Sequence, residues 1–520
     1  MLSGIDTVGA VNQPAAPHPA PSRPRALTLI IPGCVFAVLI ANALTDGYFR
    51  DEFYYLACAR RLAWGYVDHP PFSVALIALI TSIFGDSLLV LRATAAAAGA
   101  ASVWLTGRIA RRLGGDHTAE TVGMVSAAVA PMLLGTATFY SMNVLEILIW
   151  TWASYLFLDA LDHPTTDRWA RLGALLGLGL LNKISVLWLG AGIALGLLLW
   201  RRAALRTHGP WLAGTIAGLF LLPHVAWQIM NGWPTVEFIR NTSADKMQEN
   251  SAVQFLVEQV MNVHPITAPV WIGGLCFLLF ARKAQSCRAL ACIYLVPLAI
   301  LLLNRTSRSG YLAPAYPLLF AAGGVALQPL LSARPRRVIA VGLIAIAGLA
   351  TLPLAVPLLP TDRYVTYAAS LGVAPSTEEK KDLGRLPQFF ADREGRPRLV
   401  SAVVTAWNQL PAEERARAAV LVGNYGEAGA IEQLARAHDI PVISGHNNYW
   451  LWGPGDRRIE TLIVLSNSRE RQAQRFASVE EVGRINCGDC MPYENGLTIF
   501  IGRGLKTPLA QLWADLRHFD

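Results

Sequence analysis

The stretch YFRDEFYYLACARRLAWGYVDHPPF, from Tyr48 to Phe72, sets Asp51 beside Glu52 and then Asp68 beside His69 ahead of two prolines. It follows directly on an apolar run, ALTLIIPGCVFAVLIANAL. Acids at such a place have a plain reading, because carboxylates favour the first turn of a helix. They also suit proton abstraction: a carboxylate at a membrane surface can act as a base toward a substrate whose tail lies in lipid. Further along, Arg92, Glu146 and Lys183 interrupt apolar sequence, and Arg305 and Arg308 precede YLAPAYP. Ionisable residues in apolar surroundings are functional candidates by default. Each keeps an alternative. His69 is also a packing residue held by Pro70 and Pro71, Arg92 a snorkelling interfacial arginine, and Glu146 a structural hydrogen-bond acceptor. Lys183 also reads as a turn residue, and Arg305 and Arg308 as solvation of a loop.

The elements that must position these residues are membrane helices. Hydrophobic residues make up 53% of the 520-residue chain and charged ones 15%, where a soluble protein carries about a quarter charged. The excess lies in runs of bilayer-spanning length, roughly 20 residues each. The net charge of +8 gathers in short clusters between those runs, which is a topology signal and not a nucleic-acid face. Residues 1–25, rich in Pro and Ala, read as a disordered cytoplasmic tail ahead of an uncleaved first helix.

Basic clusters recur at Arg23/Arg25, Arg108/Arg111/Arg112, Arg168/Arg171, Arg201/Arg202/Arg206, Arg282/Lys283/Arg288 and Arg334/Arg336/Arg337. Placing them all on the cytoplasmic side requires an even number of crossings between neighbouring clusters. The apolar runs at 26–45, 87–107, 119–138, 144–160, 170–182, 184–200, 210–228, 265–281, 289–303, 312–331 and 338–358 satisfy this. The expectation is therefore a polytopic α-helical protein of about eleven spans over 26–360. The stretch 170–200 reads as two short spans turning at LLNKIS, with a single long helix as the alternative. Residues 52–85 form an outer loop with two helices lying in the interface.

After about residue 360 the spanning runs stop. AAVLVGNYG and IPVISG read as strands around a helix at EAGAIEQLARAHD, and IETLIVLS reads as a third strand. Residues 361–520 are expected to form an extracytoplasmic α/β domain. Cys487 and Cys490 are the one close cysteine pair and are disulfide candidates in an oxidising compartment. A zinc site there lacks a second ligand pair; a divalent cation at Asp51 and Glu52 is open, but no set of ligands for one is evident, so no metal is assigned. The glycines of GNYGEAGAI could offer amides to an anion at a strand-to-helix turn, although Glu427 would oppose it. SGHNNYWLWGP, Ser444–Pro454, is rich in the aromatic and amide groups that suit a sugar.

In order along the chain, RDEFYYLACARRLAWGYVDHPPFSVALI, FGDSLLVLRATAAAAGA, FYSMNVLEILIW, LGLGLLNKISVLW, LLPHVAWQIMNGWPTVEFIRN, GYLAPAYPLL, GNYGEAGAI, SGHNNYWLWGP and CGDCMPYEN resemble the bacterial branch of the protein O-mannosyltransferase superfamily. That branch includes the aminoarabinose transferases of lipid A. These are integral-membrane glycosyltransferases of the GT-C class that use polyprenyl-phosphate sugars. The resemblance implies that Asp51 is the catalytic carboxylate, with Glu52 beside it. Glu146 stands where relatives often carry Asp, His69 where the aminoarabinose transferases have Lys, and Arg308 where close relatives often have Lys.

A phosphate-linked sugar needs no general acid, because phosphate leaves readily. It needs a base for the acceptor hydroxyl and cations for the departing phosphate. Asp51, Glu52 and Glu146 are the expected catalytic set. Tyr55, Asp68, His69, Arg92, Asn143, Lys183, Arg308 and Tyr311 are the expected substrate-binding set. The expected partners are membrane lipid, a polyprenyl-phosphate sugar and a lipid, glycan or protein acceptor at the outer face of a bacterial inner membrane. Two other classes remain: a transporter or flippase of a lipid-linked sugar, which would favour mid-membrane charges and internal repeats, and a non-catalytic scaffold for glycan assembly.

Overall fold

The computed structural model describes residues 26–45 and 47–520; the tail expected at 1–25 lies outside them. The first part is a helical bundle. It comprises α1 (Ala26–Ala43), α2 (Arg50–Ala59), α3 (Phe72–Phe84), α4 (Leu88–Arg112), α5 (His117–Val129), α6 (Pro131–Thr136), α7 (Met142–Asp162) and α8 (Thr166–Leu180). There follow α9 (Val186–Trp200), α10 (His208–Met230), α11 (Pro234–Asn241), α12 (Ala252–Asn262), α13 (Ala268–Phe280), α14 (Cys292–Leu303), α15 (Tyr316–Leu327) and α16 (Arg334–Ala355).

Every apolar run read from the sequence holds a helix, but not always one spanning helix. Among the described residues five helices are long and apolar enough to cross a bilayer, or six if α12 and α13, bent by 90°, are taken as one span. By length alone, five or six of the eleven expected spans are therefore accounted for among the described residues. The reason is local chemistry. Pro131 donates no amide, so the run 119–138 breaks into α5 and α6. Likewise α14 has 12 residues, about 18 Å at 1.5 Å per residue.

Inter-helix contacts fix the direction of the chain. Arg112, at the end of α4, pairs with Asp159 and Asp162 at the end of α7, and Arg168 at the start of α8 meets the same Asp159. Lys183 then reaches the start of α7, while Arg201 after α9 donates to the Leu161 carbonyl at 3.2 Å. The chain thus reverses between α8 and α9, and 170–200 is two helices. Arg337 donates to Thr118 Oγ1 at 3.1 Å, and Ala289 lies against Gly196. The basic loops around Arg112, Arg168, Arg201, Arg288 and Arg337 therefore share one end of the bundle.

Two adjacent glycines set the middle of the bundle. A Cβ on Gly323 would lie 1.9 Å from the Val270 carbonyl of α13, and one on Gly324 2.1 Å from the Ala119 carbonyl of α5. Helix α15 is wedged between α13 and α5 because neither glycine has a side chain.

The remaining elements are α17 (Thr361–Ser370), α18 (Gln388–Ala391), α19 (Arg396–Gln409), α20 (Ala412–Arg415), β1 (Ala418–Val422), α21 (Tyr425–Leu434), β2 (Val442–Ser444) and α22 (Asn448–Trp452). They end with β3 (Thr461–Ser466), α23 (Arg469–Arg475), β4 (Phe476–Arg484), β5 (Thr498–Leu505) and α24 (Leu509–Leu516). The sheet order is β2-β1-β3-β5-β4, parallel among β2, β1 and β3 and antiparallel at β3–β5 and β5–β4. Strand β1 is buried along its whole length, as a central strand covered on both faces must be. Cys487 and Cys490 are joined as a disulfide. This C-terminal part sits on the bundle end away from the basic loops. Asp392 O accepts from Arg50 N at 3.1 Å, and Arg393 donates to Thr138 Oγ1 at 2.7 Å.

Candidate active site

Helix α2 begins at Arg50, so Asp51 and Glu52 fall in its first turn but face different ways. Glu52 is fully buried and accepts from Arg92 Nε at 2.7 Å, Arg92 Nη2 at 2.9 Å, Phe49 N at 2.8 Å and Tyr140 N at 3.0 Å. It fastens α2 to α4 and to the α6–α7 turn. Arg92, 1% exposed, is turned to that carboxylate and to the Gly47 carbonyl at 2.6 Å. Both are expected site residues, and these hydrogen bonds go to protein groups that tie α2 to α4 and the α6–α7 turn.

Asp51 differs. Its side chain is 31% exposed, and Oδ1 accepts from the Tyr425 hydroxyl at 2.9 Å. Arg50 Nε lies 3.5 Å from the same oxygen. Arg50 also reaches Asp392 at 3.4 Å and donates to Tyr493 Oη at 3.2 Å. One carboxylate is thus held by a phenol and a guanidinium while keeping an open side.

Around it lies an aromatic wall. Tyr54 stacks on Tyr425 with centroids 4.5 Å apart, and its hydroxyl lies 3.1 Å from both Asp68 Oδ1 and Asn448 Oδ1. Burial pushes the Asp68 carboxyl above its usual range, against the lowering effect of His69. His69 is 1% exposed, stacks on Tyr55 at 5.0 Å and turns Nδ1 to the Pro70 carbonyl at 3.2 Å. Its Nε2 lies 3.7 Å from Asp68 Oδ1. The Tyr55 oxygen accepts from Met142 N at 2.9 Å, which ties this wall to the start of α7.

The next residue along opens a second group. Asn143, Glu146, Lys183, Arg308 and Tyr311 all line one cavity of about 130 Å³. Lys183 Nζ donates to Asn143 Oδ1 at 2.8 Å and Glu146 Oε2 at 2.7 Å, and lies 4.9 Å from the Tyr311 ring centre. The other Glu146 oxygen accepts from Ser185. Arg308 donates to Glu379 at 2.5 Å, and Glu378 accepts from Ser309 N at 3.0 Å. Five expected residues therefore meet in one cavity beside apolar helices. Asp51, Tyr55, Asp68 and His69 form a second cluster joined to it through Met142.

Tyr425, Asn448 and Arg50 were not expected. Tyr425 and Asn448 lie in the GNYG and HNNY stretches, whose glycines, aromatics and amides were visible. Nothing in the sequence ties Tyr425 to a partner 374 residues away. The anion site considered at GNYG is filled from within: Glu427 accepts from Gly423 N at 2.8 Å, and Asn424 caps Glu427 N at 2.9 Å. Burial and neighbouring Glu494 raise Glu427 to about 7. Among the described residues, His446, His518 and Asp520 bring metal-type donor atoms within 4.8 Å. The two imidazoles, however, are stacked at 4.6 Å and 20°. In-plane lone pairs of nearly parallel rings do not converge on one ion, so this is a stacked pair.

Residues 68–227 match the family described as Dolichyl-phosphate-mannose-protein mannosyltransferase. The undecaprenyl phosphate-alpha-4-amino-4-deoxy-L-arabinose arabinosyl transferase 1 of Pseudomonas fluorescens is 30% identical over 143 residues, 26% of this chain and 25% of the relative. The lipid A galacturonosyltransferase RgtD of Rhizobium johnstonii is 23% identical over 215 residues, 41% of this chain and 45% of the relative. The matched stretches thus span less than half of either curated relative. The crystal structure of ArnT from Cupriavidus metallidurans bound to undecaprenyl phosphate superposes with a TM-score of 0.62 at 15% identity, covering 91% of this chain and 97% of that one. The chain therefore has the GT-C membrane fold. With the family match on 68–227, the resemblance read from the motifs to the mannosyltransferase and aminoarabinose-transferase superfamily is borne out.

Proposed function

We propose that the protein is an inverting glycosyltransferase that moves a sugar from a polyprenyl phosphate to a hydroxyl of a lipid, glycan or protein acceptor. The observation that carries this is the half-open Asp51 carboxylate, in a cluster joined through Tyr55 and Met142 to a cavity lined by Lys183 and Arg308. Asp51 takes the proton of the acceptor hydroxyl as its oxygen attacks the anomeric carbon. The bond from that carbon to the phosphate oxygen breaks, and its electron pair leaves on the polyprenyl phosphate. Lys183 and Arg308 stabilise the charge that develops there. Attack opposite the leaving group inverts the anomeric centre.

The relatives named above supply the donor class by their own descriptions, among them undecaprenyl phosphate. The site faces the outer side of a bacterial inner membrane, with residues 361–520 outside and the arginine loops in the cytoplasm. Glu52 and Arg92 act as positioning residues. The test is mass spectrometry of lipid extracts from cells that lack the protein and carry either wild type or Asp51→Asn at equal membrane levels. A sugar-bearing product is expected with wild type alone, and accumulation of a polyprenyl-phosphate sugar with the variant. Identical profiles would remove Asp51 as base and leave the flippase and scaffold classes ahead.

A further inference from the structure

The amides of the GNYGEAGAI stretch are taken up by Glu427, and the structure gives its glycines another use. Helix α21 meets α2 at two of them. A Cβ on Gly426 would collide with Arg50 Cγ, and one on Gly429 would lie 2.9 Å from the Phe53 backbone. Without side chains there, the two helices approach closely. That approach brings Tyr425, the first residue of α21, onto Asp51 from the C-terminal domain.

Tyr425 is itself held on several sides. Its ring lies 4.5 Å from that of Tyr54 and 4.7 Å from that of His446, centre to centre, and its amide donates to His446 Nδ1 at 3.3 Å. Burial, with His518 alongside, holds His446 well below its usual range, so Nδ1 stays an acceptor. Burial also raises the Tyr425 phenol well above its usual range, so it keeps a proton to donate. That donation falls on Asp51 Oδ1, at 2.9 Å. Among the described residues Oδ2 has no hydrogen-bond partner, and the side chain is 31% exposed. One carboxylate oxygen is held and the other is presented. A base gains from being held in a single orientation, and a hydrogen bond donated to an ionised carboxylate favours the ionised form.

We propose that Tyr425 is a positioning residue for proton transfer: its hydroxyl fixes Asp51 so that Oδ2 meets the acceptor hydroxyl, and the α21 glycines bring it there across the domain boundary. The proton passes from the acceptor oxygen to Oδ2, while the phenol keeps its own. The proposal rests on the glycosyltransferase reading and adds that the sheet domain completes the reaction centre.

Two variants test it. Tyr425→Phe keeps the stacked ring and removes only the hydroxyl; Gly429→Ala keeps the hydroxyl and pushes α21 off α2. The other groups whose charge reaches Asp51, among them Arg50, Tyr55, Asp68 and Asp392, are the same in both. Purified full chains in nanodiscs, with Asp51→Asn as reference, are given total lipid from cells lacking the protein, and product is followed by mass spectrometry from about pH 5 to pH 9. Tyr425→Phe is expected to lower the plateau rate about 10–100-fold and to move the acid limb to higher pH, with undecaprenyl phosphate binding unchanged. Gly429→Ala should do the same with its phenol intact. A second readout needs no turnover: a carbodiimide, which couples to protonated carboxyl groups, should modify Asp51 several-fold faster in both variants than in wild type. A wild-type rate, acid limb and modification rate in both variants overturn the proposal. So does a lowered rate with an unmoved limb and equal modification, which is the mark of a merely structural tyrosine. Equal product from wild type and Asp51→Asn would sink the transferase reading instead, and faster modification in Tyr425→Phe would still show the hold of the phenol on Asp51.

Discussion

At the scale of single residues, adjacent acids have opposite fates. Asp51 has one hydroxyl partner and an open side; Glu52 has four hydrogen bonds and no exposure. Asp51→Asn should therefore leave folding intact and lower transfer by about 10²–10⁴-fold, the usual worth of a positioned base. Glu52→Gln should instead lower the thermal midpoint in detergent, because breaking a buried ion pair costs about 3–5 kcal/mol. If Glu52→Gln were as stable as wild type while losing turnover, its anchoring role would be wrong. A pH signature belongs here too. Burial raises Asp392 to about 6, against the lowering effect of Arg50. Between the ordinary carboxylate range and pH about 6, the folded chain keeps a proton that the unfolded chain has released. That contribution favours folding at acid pH and is lost as the pH rises through about 6. Melting measured at pH 5 and pH 8 should show a smaller difference in Asp392→Asn than in wild type.

At the scale of elements, legibility followed locality. The apolar runs gave the helices, and the LLNKIS turn was readable because asparagine and lysine interrupt two such runs. Strand β1 and helix α21 were readable from AAVLVGNYG and the sequence after it. The bend between α12 and α13 was marked by Pro265, where the apolar run 265–281 begins. Two features were out of reach. The site's halves were visible as the DE pair and the GNYG and HNNY stretches. Their meeting is a tertiary event, set by α21 packing on α2, where Gly429 lies against Phe53. The paired glycines of α15 were likewise lost in an apolar run, yet they fix its depth. Gly323→Ala should force α13 and α15 apart and destabilise by about 1–3 kcal/mol. Gly342→Ala on α16, with nothing within 4 Å of its Cβ position, should be neutral or slightly stabilising, since alanine is the better helix former. Equal thermal midpoints for the two variants would show that the α13–α15 contact is not tight.

At the scale of the whole molecule, the two ends of the bundle differ in kind. One carries the arginine loops; the other carries Asp51, the Lys183 cavity and the sheet domain. Lysine and arginine in short loops are retained in the cytoplasm, so the proposed orientation puts the arginine end inside and the other end outside. The proposed chemistry then has its carboxylates and cations at one bundle end and not at mid-membrane, where a translocation pathway would need them. The orientation can be read with an impermeant maleimide once Cys34, Cys58, Cys276, Cys287 and Cys292, the free cysteines, are replaced by serine. Glu413→Cys, exposed in the sheet domain, should label in intact spheroplasts. Arg202→Cys, exposed between α9 and α10, should label only after lysis. The reverse pattern would turn the molecule over, put Asp51 in the cytoplasm and remove the oxidising surroundings that favour the Cys487–Cys490 disulfide. Labelling of both positions in intact spheroplasts would break the shared arginine end itself, because position 202 lies on the same bundle end as Arg112 and Arg168.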